Sequence, residues 1–205
     1  MPKKPKTNQA EVQNEAQGRD LFQTPNYATE LLIPFIPNNI KWIWEPACGD
    51  GKIVQRLTEN KYSVFPSDIR HSDGWIDNTV YNFIAGDETG TIPYPIWVSF
   101  QTQKVAIVTN PPFSLKRRFY EKCLEYKVPF ALLIPADYSG WIIKAIQNGA
   151  EKIIPTRRID YITPTGLSGA TGHTSYYHSM WLTWGFNLGK TETFVELTNE
   201  MKENI

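Results

Sequence analysis

The chain has 205 residues, 41% of them apolar and 20% charged, which suits one domain around a single core and is too little for two. Its 21 Lys and Arg match 21 Asp and Glu, so a polyanionic partner has to be met by a local basic patch and not by an overall positive field. Two cysteines far apart, three histidines and no close ligand spacing argue against a disulfide framework or a metal site, and no run reaches the ~18 apolar residues of a membrane span.

Residues 1–18 mix Lys, Pro, Asn, Gln and Glu without periodicity and read as a flexible arm carrying Lys3, Lys4 and Lys6, with one folded domain over 19–205. The start has no apolar leader core, so a soluble cytoplasmic protein is expected. Leu31, Leu32, Phe35 and Ile36 recur at helical spacing after the Thr24-Pro25 start signal and predict a short helix that Pro37 ends. KWIWEP (41–46) then predicts a strand, a Gly-rich turn follows, and Ile53, Val54 and Leu57 mark one face of a helix. Further strands are expected at 62–69, 104–110 and 128–135, the last almost continuously apolar, as in strands covered on both faces. Helices fall at 119–126 and 140–149, and 151–162 brings another strand.

This alternation predicts an α/β fold, a Rossmann-like parallel sheet with helices on both faces and its ligand at the carboxyl ends of the strands. The stretches 178–186 and 192–197, joined by NLGK, predict a closing antiparallel hairpin. Trp181 and Trp184, at strand spacing within it, are expected to pack in the core or at an edge. Residues 70–103 and 163–177 carry no periodic signal. The second is rich in Gly, Ser and Thr and predicts a mobile loop; His173, Tyr176 and Tyr177 on it, with His178 just after it, either stack on bases or decorate the loop, the second reading being favoured.

Two blocks carry chemistry. Glu45-Pro46-Ala47-Cys48-Gly49-Asp50-Gly51 follows the first strand and opens a helix, where the backbone must approach a ligand closely. The third glycine of a dinucleotide fingerprint would fall on Val54, and no Gly-Lys-Ser/Thr follows, so phosphate is not the obvious ligand. A strand-end carboxylate that attracts an ammonium, beside a helix start that receives a carboxylate, suits a zwitterion, and S-adenosylmethionine has both groups. The alternative is a tight strand-to-helix turn without a ligand. Asp68 ends the next strand near the ~20-residue offset at which an acid meets ribose hydroxyls. Asp87, in FIAGDE, could reach an adenine amino group. Cys48 has no identifiable base partner and reads as a small packed residue and not a nucleophile.

The second block is Asn110-Pro111-Pro112-Phe113, at the end of KVAIVT. An amine conjugated to an aromatic base is a poor nucleophile, and methylating it demands acceptors that take its hydrogens and aim its lone pair. The Asn110 side-chain oxygen and the Pro111 carbonyl are such acceptors. The prolines stiffen the loop, and Phe113 offers a flat face for a base.

Together FQTP (22–25), EPACGDG (45–51), Asp68, Asp87 and NPPF (110–113) resemble the ordered motifs of S-adenosylmethionine-dependent N6-adenine DNA methyltransferases of the gamma arrangement, especially small phage-type and restriction-modification enzymes. The likeness covers about residues 19–135 and extends loosely through RRIDYITP and the Ser179-Met180-Trp181 strand. It implies that Phe22, Gln23, Thr24 and Pro25 line the methionine end of the cofactor, and that Glu45, Cys48 and Gly49, with Pro46, Ala47 and Gly51 of the same turn, hold its amino-acid part. Asp68 with Ile69 would meet its ribose and Asp87 its adenine. Asn110, Pro111, Pro112 and Phe113 would hold the target base, with Asn110 also beside the cofactor. The family further implies a seven-stranded sheet ending in an antiparallel hairpin.

Restriction-type members usually carry a separate target-recognition domain, for which the residues after Phe113 leave no room. A partner subunit is one way to supply it. Candidate DNA contacts are Lys116, Arg117 and Arg118 beside NPPF, Arg157 and Arg158 at a later strand end, the 163–177 loop and the basic arm. Alternative readings are the same chemistry on RNA adenine or a protein glutamine, a non-catalytic S-adenosylmethionine-binding subunit, and a nucleotide-binding module without methyl chemistry.

Overall fold

The computed structural model describes residues 23–70, 77–86, 104–163, 166–167 and 177–203. A short helix α1 (Asn26–Glu30) and a 3-10 turn (Ile33–Phe35) precede strand β1 (Trp42–Glu45) and helix α2 (Lys52–Glu59). Strands β2 (Ser63–Asp68), β3 (Thr79–Val80) and β4 (Val105–Thr109) lead to helix α3 (Lys116–Tyr126), strand β5 (Phe130–Pro135), helix α4 (Gly140–Gln147) and strand β6 (Ala150–Pro155). A small ladder, β7 (Ile162–Thr163) with β8 (Gly166–Leu167), comes before strands β9 (Ser179–Trp184) and β10 (Glu192–Val195) and helix α5 (Asn199–Glu203).

Among the described residues the main sheet has eight strands, in the order β10-β6-β9-β5-β4-β1-β2-β3. Side chains alternate across it with the two-residue period of a strand. Ile43, Ala106, Val108, Ala131, Leu133, Ile153 and Trp181 point to one face, where Tyr27 and Ala28 of α1 and Ile53 and Leu57 of α2 cover them. Trp44, Ile107, Phe130, Leu132, Ile134 and Leu182 point to the other, under Phe119 and Cys123 of α3 and Ile142 and Ala145 of α4. Both faces are therefore dry, which is why β4 and β5 read as unbroken apolar runs. Neither cysteine forms a disulfide. The α1 helix is tied to α2 by an ion pair between Glu30 and Arg56, and to the sheet by the Trp181 indole N–H, which donates to the Ala28 carbonyl at 2.9 Å.

Two expectations are corrected. The sheet has eight strands where seven were expected, and β9 and β10 form no hairpin: β9 is antiparallel to both β5 and β6, while β10 lies parallel on the far side of β6. The reason is that β9 is buried along nearly its whole length, and the slot between β5 and β6 gives its backbone a hydrogen-bonding partner on each edge. The connection then passes over β6 through left-handed turns at Gly185, Asn187 and Gly189, where the Gly189 N–H donates to Glu151 of β6 at 3.1 Å. Two further differences lie in a helix and in a stretch without periodic signal. The helix expected from Phe119 begins at Lys116, so the basic triplet forms its first turn. Within 70–103, β3 and a turn closed by the Asn82 side chain are present, the latter accepting the N–H groups of Ile84 and Ala85.

Candidate functional site

Strands β1, β2 and β3 are laid down in one direction from the middle of the sheet and β4 and β5 in the other, so the winding reverses between β1 and β4. Loops leaving the carboxyl ends of such strands diverge and open a crevice. Here the crevice is a cleft of about 670 Å³. Most of the residues singled out from the sequence line it: Gln23 and Thr24, Glu45 through Gly49, Asp68 and Ile69, and Asn110 through Phe113. Pro25 and Gly51 do not; they are the residues before α1 and α2, with Gly51 at φ 80°. Phe22, Asp87, the 1–18 arm, His173 and Tyr176 lie outside the described residues.

Glu45 ends β1 with its carboxylate buried. Burial holds it well above the usual carboxylate range; the Thr109 hydroxyl pulls it back in part, the Asp68 carboxylate adds to the rise, and the Asn110 backbone N–H lowers it a little. Its Oε2 has no hydrogen-bond partner among the described residues, and neither has the buried Oδ1 of Asn110 on the neighbouring strand end. Both residues line the cleft, so two unsatisfied acceptors border one space from the two strands that flank the switch point.

The turn after β1 is shaped by Gly49, at φ 49°, a backbone conformation that favours glycine. A Cβ there would sit 2.9 Å from Gln23 Nε2, so the missing side chain leaves the place that the Gln23 amide fills. Gln23 Oε1 accepts the Asp50 N–H at 3.2 Å. The Asp68 carboxylate holds the other side of the turn, taking the Gly49 N–H on one oxygen and the Arg70 N–H on the other, each at 3.1 Å. Burial, with Glu45 and Asp68 nearby, pushes the Cys48 thiol up, so it stays protonated and unreactive.

On the far wall, the Leu115 N–H donates to the Pro112 carbonyl at 2.8 Å, closing the NPPF turn into α3. Phe113 is half-buried, packs against the core beneath α1 and α2, lies edge-to-face with Tyr161 at 5.8 Å between ring centres, and lines the cleft. Sequence reasoning missed Lys52, Arg70, Tyr81, Phe83 and Ile84, which also line the cleft. Lys52 stands next to a glycine already singled out; Tyr81 to Ile84 sit in a stretch with no periodicity to find them by.

Among the described residues the basic candidates, Lys116, Arg117, Arg118, Arg157 and Arg158, do not line the cleft. Lys116 pairs with Asp137 at 3.0 Å and Arg117 with Glu121 at 2.9 Å, whereas Arg118 is exposed and makes no ion pair among the described residues. Arg157 donates to Asn199, and the Arg158 carbonyl accepts from Lys202. His178 is held against the Pro155 carbonyl and Tyr177 is exposed. Trp181 is core, as expected, and Trp184 stacks on Phe130. Among the described residues no group of His, Cys, Asp and Glu could hold a metal ion, and no helix is long and apolar enough to cross a membrane.

The fold is shared with methyltransferase subunits of known structure. A type I restriction-modification system methyltransferase subunit from Streptococcus thermophilus matches with a TM-score of 0.55 at 12% identity, over 95% of this chain and 55% of its own. A modification subunit assigned to a type I restriction enzyme of Vibrio vulnificus matches with a TM-score of 0.52, also at 12% identity, over 92% of this chain and 49% of its own. The chain thus spans about half the length of these structures. No protein-family model matches the chain, and no similarity to a curated protein is detected.

Proposed function

We propose that this protein transfers a methyl group from S-adenosylmethionine to the exocyclic N6 amine of an adenine in DNA, the base being turned out of the duplex into the cleft. The observation that carries the reading is the pair of buried, unpartnered acceptors, Glu45 Oε2 and Asn110 Oδ1, bordering one cleft at the switch point of a methyltransferase-like sheet. The residues present fit the donor. Glu45 offers a carboxylate to its ammonium, and Asp68, whose oxygens each take one backbone N–H, retains lone pairs for ribose hydroxyls. Tyr81, Phe83, Ile84 and Ile69 offer apolar surface to its base. Phe22 and Asp87 belong to the same reading through the resemblance alone.

When bound, S-adenosylmethionine supplies a methyl carbon whose bond to sulfur breaks as the amine nitrogen bonds to it, the nitrogen shedding one proton to solvent. Asn110 Oδ1 and the Pro111 carbonyl accept the two amine hydrogens and direct the lone pair toward the donor side of the cleft. Phe113, fixed on one side by Tyr161, stacks on the base. No general base is needed, because the nitrogen becomes acidic only as the new bond forms. Residues 19–205 act as one catalytic domain, the arm and Arg118 meet the DNA backbone, and a partner subunit supplies target choice.

The test is transfer of labelled methyl to unmethylated DNA of mixed sequence, with the digest resolved by mass spectrometry and Asn110→Ala run alongside. N6-methyladenine that disappears in the variant is the expected result. Transfer to RNA or to a glutamine peptide in its place would change the acceptor. Donor binding without transfer to any of them would make the chain a non-catalytic subunit.

A further inference from the structure

The segment Asp160–Ile162, which follows β6 and enters the small ladder at Ile162, lines no part of the cleft, yet it touches both of its halves. Ile162 exchanges two backbone hydrogen bonds with Gln23, at 2.8 and 3.0 Å, and Gln23 is the residue whose amide fills the space beside Gly49. The adjacent Tyr161 is buried, its ring edge-on to Phe113 at an interplanar angle of 81°, and its hydroxyl donates to Ser179 of β9 at 2.8 Å. One residue earlier, the Asp160 N–H donates to the Tyr27 hydroxyl at 2.7 Å, and the Asp160 carboxylate takes Lys202 of α5 at 2.7 Å. Lys202 also donates to the Arg158 carbonyl at 2.7 Å. Burial pushes Tyr27 up to about 12, so its hydroxyl stays protonated through the neutral range.

Tyr161, whose ring meets Phe113, and Ile162, whose backbone bonds to Gln23, are joined by one planar peptide unit, so a displacement of that unit reaches both contacts. We propose that Asp160–Ile162 is a strap that couples the two halves of the cleft, with Tyr161 the positioning residue of Phe113, so that occupation of the Gln23 side stills the NPPF turn before a base arrives. Naming the halves as donor and target rests on the proposed function; the coupling does not. A second ligand that enters an already stilled wall loses less conformational entropy, which favours ordered binding with the donor first.

Amide exchange tests the strap, with S-adenosylmethionine itself as probe. The Leu115 N–H, bonded to Pro112, reports the NPPF turn; the Gln23 N–H reports the strap; the Ile107 N–H, bonded to Pro129 in the core, is the control. In ligand-free protein Tyr161→Leu should speed exchange at Leu115 by about five-fold or more with Ile107 unmoved, while Tyr161→Phe, which keeps the ring, stays within about two-fold of wild type. With the probe bound, wild type should slow exchange at both Gly49 and Leu115, and Tyr161→Leu at Gly49 alone. Lys202→Met, on the outer helix, should speed Gln23 and Leu115 together and carries the test if Tyr161→Leu does not fold. Unchanged Leu115 exchange in ligand-free Tyr161→Leu, or in Lys202→Met a Gln23 response without a Leu115 response, overturns the strap. Equal protection of Leu115 by the probe in wild type and Tyr161→Leu would assign the effect to direct contact through the cleft and also overturn it. A probe that protects nothing in wild type removes the proposed function and leaves the ligand-free comparison to decide the strap.

Discussion

Glu45 and Asn110 border the same cleft but make different demands on the protein. Burial raises the Glu45 carboxyl, whereas in the unfolded chain it ionises near ~4.3. The unfolded state therefore gives up its proton first, and the stability this group contributes is complete below that pH and lost as pH climbs toward the folded value. Glu45→Gln should remove that slope: from pH 4 to 8 the wild-type denaturation midpoint should fall relative to the variant, and parallel curves would show that Glu45 is ionised in the free protein. The same substitution should weaken S-adenosylmethionine binding by about ten-fold or more, since an ammonium loses its charged acceptor. In wild type the ammonium draws Glu45 into its ionised form, so calorimetric heats should vary with buffer ionisation enthalpy, with release of up to one proton; heats independent of buffer would exclude it. Asn110→Ala sits at the other extreme, with cofactor affinity kept within a few-fold and methyl transfer lowered by roughly 100-fold or more, the scale of a lost transition-state acceptor.

At the scale of elements, α1 carries Gln23 and Thr24 into the cleft and has little of its own to hold it, being five residues long. Its end is satisfied piecemeal: Tyr27 O takes the Leu31 N–H, Thr29 O takes the Leu32 N–H, and Ala28 O takes the Trp181 indole. Trp181→Phe leaves that buried carbonyl unpaired and should cost about 1–3 kcal/mol in a denaturant titration, with donor affinity falling alongside as the Gln23 seat loosens. A loss of stability with donor affinity unchanged would separate α1 from the cleft. Trp181 was legible in the sequence as a core residue of a strand, but its tie to Ala28 spans most of the chain and no local pattern encodes it. The same division runs through the fold. EPACGDG and NPPF were legible because a strand end, a glycine and a helical face follow one another within a few residues. The hairpin was misread because the place of β9 is set by β5 and β6, which the turn residues do not know about. Tyr81 and Phe83 escaped because they pack around Trp44 from a stretch without period. Asp160–Ile162 was legible as part of a strand-like run and of the loose likeness through RRIDYITP, but not as a link, its partners being Tyr27, Gln23 and Lys202 at opposite ends of the sequence.

Over the whole molecule the charges cancel, so the proposed contact with DNA would rest on few cations and its salt dependence should be shallow. The structure narrows which ones. Lys116 is engaged by Asp137 and Arg117 by Glu121, and a cation already neutralised by a carboxylate releases fewer counterions from a phosphate. Arg118 shares their helix turn, next to the NPPF loop, exposed and without an ion pair among the described residues. Each phosphate neutralised adds about −0.9 to the slope of log affinity against log salt on duplex DNA. Fluorescence anisotropy of a labelled mixed-sequence duplex at rising salt should give a slope of only about −2 to −4, reduced by nearly 0.9 in Arg118→Ala and by much less in Lys116→Ala or Arg117→Ala. Equal reductions in all three would mean that the pairs with Asp137 and Glu121 open on binding. An unchanged slope in Arg118→Ala would move the phosphate contacts away from this helix, to the basic arm or to a partner chain.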